Sequence, residues 1–174
     1  ANNQLAAAEV VNDQFTVVSL DGSASQRITI SLTGSDDLAQ IAGDTAGSVV
    51  EAGSTNPGNA DATGRLTISD IDNPQAGFRS ANSAALNGVY GSFSFSPTSG
   101  VWSYALDNQR PATELLQEGE TASDSLVVES LDGLSAQTIT VSISGSADPI
   151  SGTVIDGYLA GATVFADRNG NRQL

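Results

Sequence analysis

The sequence predicts an all-β protein built from tandem Ig-like or cadherin-like antiparallel β-sandwich modules, one complete and two partial. Three observations carry this. Short runs alternate apolar with small polar residues and are punctuated by Asp-Gly, Gly and Pro. The stretch 90–106, Y-G-S-F-S-F-S-P-T-S-G-V-W-S-Y-A-L, holds the single Trp and has the pattern of a β-hairpin. Residues 5–37 recur at 116–148, 111 positions on and without a gap, which is an internal repeat.

Taken in order, residues 14–20 and 26–32 alternate as two strands around Asp21-Gly22, a strong hairpin signal. Their counterparts, 125–131 and 137–144, flank Asp132-Gly133 and close the complete module. Asp13 matches Asp124, Gly34 matches Gly145 and Asp37 matches Asp148. Because the first copy lacks the front half that the second has, the chain reads as a stretch of a longer array. The divisions are 1–37, the second half of one sandwich; 38–149, a complete sandwich; and 150–174, the opening of a different β module. Within the complete module, 38–47 is a linker or early edge segment, 48–52 a first short strand and 64–70 a second. A weaker strand lies near Phe78, and 112–120 holds a helical turn whose Leu115 and Leu116 plug one end of the core. In the central hairpin Phe93 and Phe95 alternate on one arm and Trp102, Tyr104 and Leu106 on the other. Pro97 presets the turn and Gly100 tolerates positive φ. In an aromatic-poor chain these rings are expected in the core rather than on a sugar-binding platform.

Composition narrows the function. The 174 residues carry 6 Arg and no Lys against 20 Asp+Glu, a net charge of −14. That balance argues against nucleic acid and anionic membranes as partners, and favours cations or simple solubility. Without Cys there is no disulfide, and without His the commonest general base and zinc ligand are missing. No apolar run approaches the roughly 20 residues of a membrane-spanning helix. No catalytic constellation stands out, so the chain is expected not to be an enzyme.

Strand order suggests where the acids gather. The complete module is entered at Asp36 and Asp37, the second strand returns to end at Asp70 and Asp72, and the last hairpin turns at Asp132. Singly, each is a common turn former. Together, uncompensated carboxylates repel, and calcium takes 6–8 oxygens from such loops. Calcium is therefore expected at Asp36, Asp37, Asp70, Asp72 and Asp132. Farther on, Asp167-x-Asn169-x-Asn171 has the spacing that opens a calcium loop, although its glycine falls one residue early and Asp, Asn and Gly are also plain turn formers.

The motifs G-S-V-V-E-A-G (47–53), A-T-G-R-L-T-I-S-D-I-D (62–72), G-V-Y-G-S-F-S-F-S-P-T-S-G-V-W-S-Y-A-L-D-N (88–108), L-Q-E-G-E-T-A-S-D-S (116–125) and Q-T-I-T-V-S-I-S-G-S-A-D (137–148) occur in this order. Together they resemble the VCBS repeat. The resemblance implies a cadherin-like or Ig-like module of large bacterial RTX-type surface adhesins, extracellular or on the cell surface, stiffened by calcium. It adds Glu51, which is similar to the glutamate such modules contribute from their first strand. Ala147 departs from the usual linker ending. The implied function is structural: an extender that holds an adhesin's or filament's distal domain away from the cell, as in biofilm attachment. Its partners would be adjacent modules or neighbouring filament subunits. The alternative is a carbohydrate- or protein-binding module of the same kind of surface protein.

Overall fold

A computed structural model describes residues 4–72 and 76–148. The chain is nearly all β. Its first hairpin pairs β1 (Val10–Val18) with β2 (Ser25–Thr33) and joins neither of the other sheets. The sandwich begins with β3 (Gln40–Gly43), β4 (Ala46–Val50) and β5 (Asp61–Ser69). Then come β6 (Gly91–Phe95) and β7 (Val101–Leu106), the short helix α1 (Pro111–Glu114), β8 (Thr121–Glu129) and β9 (Ala136–Ser144). One sheet has the order β3-β5-β7-β6 and the other β4-β9-β8.

The strands follow from alternation. In β7, Trp102, Tyr104 and Leu106 are buried, while in β8 and β9 Leu126, Val128, Ile139, Val141 and Ile143 turn inward. One continuous core joins the two sheets. Phe93 stands opposite Tyr104, with ring centroids 4.8 Å apart, and Phe95 stands opposite Trp102. The turn between them closes with Gly100 at φ +69°.

The segment expected as a linker is partly strand. Residues 40–43 form β3 on β5, and β4 starts at Ala46 rather than at residue 48. Between them the chain changes sheets. The Asp44 N–H donates to Arg65 O of one sheet, and Thr45 O accepts from Thr140 N of the other. Gly43 makes the switch at φ +116°, where a Cβ would lie 2.3 Å from Arg65 O. A strand that crosses without reversing runs alongside the closing strand, so β4 pairs with β9 in parallel, the one parallel pair among the described residues. Near Phe78 there is a single bridge to Ser130 instead of a strand. Leu116 plugs the core as expected, but Leu115 is 74% exposed, because the helical turn presents only one of two consecutive leucines to the core.

Trp102 is the largest side chain fully withdrawn from water, and its indole Nε1 donates to Asp44 O at 2.7 Å. A Cβ on Gly64 would sit 2.5 Å from its ring. The ring therefore lies against bare backbone and is bonded to the segment that switches sheets. Trp102→Ala is expected to cost about 3–5 kcal/mol. Gly64→Ala, which overpacks the same place, should cost about 1–3 kcal/mol. Urea unfolding checks both, and a loss below about 1 kcal/mol for Trp102→Ala would place the hairpin outside the core.

Candidate functional site

Strand direction defines two ends of the sandwich. β3 begins opposite the last residue of β5, and β4 continues in the same direction beside the second half of β9; Asp37, Asp70 and Asp72 thus share the entry end, where the Asp132 charge of the β8–β9 turn also acts on Asp72. At the exit end lie the last residue of β9 and the segments that follow β4 and β7.

At the entry end Asp72 is 6% exposed. Its Oδ2 accepts the Asp37 N–H at 2.9 Å, and its own N–H donates to Asp70 Oδ1 at 3.3 Å. The Asp70 carboxyl, followed by the Asp37 N–H, holds Asp72 below the usual carboxylate range, against burial and the Asp132 charge. Its Oδ1 is buried with no hydrogen-bond partner among the described residues. An open cleft of about 430 Å³ lies beside it, lined by Asp37, Leu38, Gln40, Ser69, Asp70 and Ile71. Asp36 is exposed at the same approach.

Asp132 reaches this end by its charge but spends its hydrogen bonds on its own turn. Its Oδ1 accepts from the Ser130 hydroxyl and from Leu134 N. These bonds, with the nearby Arg79 cation, lower its pKa. Arg79 clamps the turn from outside, donating to Leu131 O at 2.9 Å and Asp132 O at 2.8 Å.

Glu51 is not with these acids. It lies past the end of β4, at the exit end, 1% exposed, with Oε2 accepting the Ser146 N–H at 3.0 Å. Its role as helper to Asp36, Asp37, Asp70 and Asp72 is corrected accordingly: β3 and then β4 carry the chain away from them, to the level of Ser144 at the end of β9. The acids do not form a finished cation cage, since no group of three or more acids close enough to hold a metal occurs among the described residues. Asp167, Asn169 and Asn171 lie outside the described residues.

The sequence reading missed Asp124. This carboxylate is 5% exposed, on the inward face of β8. Oδ1 accepts the Val89 N–H at 2.8 Å; Oδ2 accepts Tyr90 N at 2.9 Å, Gly91 N at 3.2 Å and the Tyr104 hydroxyl at 2.7 Å. A Cβ on Gly88 would fall 2.1 Å from Oδ2. Burial, then the bond to Asp124, pushes the Tyr104 phenol well above its ordinary range, so it remains a donor. The available signal was parity: Asp124 shares the inward face with Leu126 and Val128.

The aromatic rings expected in the core are largely withdrawn from the surface, with Trp102, Tyr104 and Phe93 all buried. Among the described residues no helix is long and apolar enough to cross a membrane. No protein-family model and no curated protein matches the chain.

Asp124→Ala orphans several buried donors, at about 1–3 kcal/mol for each, so it should abolish stable folding or nearly so. Tyr104→Phe removes one bond and should cost about 1 kcal/mol. Urea midpoints for the two variants check the order. Asp72 and Asp132 have lowered folded-state pKa values. Their stabilisation is therefore present above the unfolded carboxylate value and lost as pH falls through the lowered folded values. The thermal midpoint should drop below about pH 4, and Asp132→Asn should flatten that acid limb.

Proposed function

We propose that the chain is a structural extender, one stretch of a row of β-sandwich modules in a secreted or cell-surface adhesin or filament. The repeat carries this reading, because residues 5–34 reproduce the hydrogen bonds of 116–145. Gly34 N donates to Glu9 O as Gly145 N does to Glu120 O. Ala6 N donates to Glu9 Oε2 as Gln117 N does to Glu120 Oε2. The Ser19 hydroxyl meets Asp21 as the Ser130 hydroxyl meets Asp132. A unit that repeats its turns as well as its strands fits a chain whose task is length. The net charge of −14 keeps such rows apart in solution. An extracellular or bacterial-surface setting belongs to this reading, and there a chain without Cys relies on something other than disulfides to hold it together. The burial of Trp102, Tyr104 and Phe93 supports the extender over a carbohydrate-binding platform on the central hairpin.

Calcium is the cation this reading assigns to the entry end. Asp70 and Asp72 lie side by side, one Asp72 oxygen is buried without a partner among the described residues, and Asp37 is tied to it through its backbone. A cation would take the place between the two carboxylates and draw the Asp36 and Asp132 side chains toward it. Magnesium should substitute poorly, given its tight octahedral geometry and reluctant dehydration.

Two measurements test the proposal. Calorimetric titration of calcium into chelator-stripped chain should give heat in the wild type and little in Asp70→Asn with Asp72→Asn. At about 100 times the dissociation constant, binding adds about 2.7 kcal/mol of stability. No heat at millimolar calcium, or equal heat in the double variant, ends the calcium part of the proposal. Specific binding on a glycan array would replace the extender by the carbohydrate-binding alternative.

A further inference from the structure

One face of the β1–β2 hairpin is that of a sandwich core without its other half. Along β1, Val11, Asp13, Phe15 and Val17 share a face, and across the strand pair stand Leu32, Ile30, Ile28 and Gln26. Phe15 is 52% exposed, Val17 48% and Ile30 50%. The matching positions 111 residues on are Leu126, Val128 and Val141, each 2% exposed or less. The strand registers agree too: Asp13 faces Ile30 as Asp124 faces Val141, and Phe15 faces Ile28 as Leu126 faces Ile139. A two-stranded hairpin has little stability of its own, so this face gains from being covered.

Asp13 decides what can cover it. An acid in the middle of an apolar face rejects lipid and any purely apolar surface, because burial without donors is costly. The same acid in β8 is satisfied by three consecutive backbone N–H groups of residues 89–91 and by a Tyr hydroxyl.

We infer that the β1–β2 face is a docking surface for a front-half unit of the make-up of residues 38–115, a four-stranded sheet plus one strand that pairs beside β2 as β4 does beside β9, joined ahead of Leu5, whose Gly-Val-Tyr-Gly loop and β7-type Tyr close on Asp13. The junction has the right form: the turn at Ala6–Glu9 repeats the hydrogen bonds of Gln117–Glu120, which connect the front half to β8. Leu5 holds the place of Leu116, which is buried in the core. This inference rests on the repeat and stands whether or not calcium binds the entry end.

The test grafts a copy of residues 38–115 directly before Leu5 of the otherwise intact chain. Hydrogen exchange is then followed at the amides of residues 10–33. In the graft these amides should exchange about a hundredfold more slowly than in the parent chain, as expected when a loose hairpin joins a cooperative core. Asp13→Asn should remove most of that protection in the graft and change nothing in the parent. Unchanged exchange in the graft overturns the inference, and so does protection that Asp13→Asn leaves intact. Sedimentation of the parent chain supplies the other arm. If the parent self-associates and thereby protects residues 10–33 as fully as the graft does, the occupant is a second copy and the inference fails.

Discussion

The sandwich depends on one buried carboxylate. Asp124 sits among apolar side chains on β8, where an uncompensated charge would be prohibitive. It is compensated by three N–H groups and a phenol from the opposite sheet and its entry loop. That requirement propagates. The loop at 88–91 must present consecutive amides inward, which leaves no room for a side chain at Gly88. Tyr104 must point its hydroxyl at β8, which sets its ring edge-on to Phe93. The β6–β7 register and the pairing of the two sheets are thus tied to the same group. Hydrophobic burial supplies most of the driving force, but it is non-directional; the carboxylate supplies the alignment.

Trp102 performs the complementary task near the sheet switch. Its ring rests on the backbone at Gly64, and its N–H holds Asp44 O, beside the residue where the chain leaves one sheet for the other. The parallel β4–β9 pair is a consequence of that crossing. Both devices bond an aromatic from β7 to an oxygen of another segment, a carboxylate for Tyr104 and a backbone carbonyl for Trp102. The central hairpin is therefore where information about the whole module is concentrated.

The two ends of the module differ in chemistry. The entry end has Asp37 and Asp70 on an open cleft, Asp72 bonded to both, and the Asp132 charge acting on Asp72. The exit end buries Glu51 against the Ser146 amide, and Ala147 O accepts from Ser54. Strand order was enough to bring Asp70 and Asp72 to the entry end, because both follow the strand that returns there. It was not enough for Glu51, whose place depends on the chain switching sheets after β3 and running on in β4 to the level of the last residue of β9.

The sequence by itself determined most of the strands, their inward faces and the repeat, though not β3 or the single bridge at Phe78. Alternation has a period of 2, and a residue's side of the sheet follows from parity alone, as for Phe93, Trp102, Tyr104 and Leu126. Asp-Gly at 21–22 and 132–133 marked both outer hairpins, because local turn chemistry is written in adjacent residues. Only the tertiary structure decided the sheet switch at residues 43–45, the exposure of Leu115, the separation of Glu51 from the entry-end acids and the clasp around Asp124. The switch, the placing of Glu51 and the Asp124 clasp each join residues far apart in the chain, largely through backbone amides and carbonyls that residue types carry alike. A side-chain pattern records which groups prefer to be buried; it does not record which backbone they will meet there.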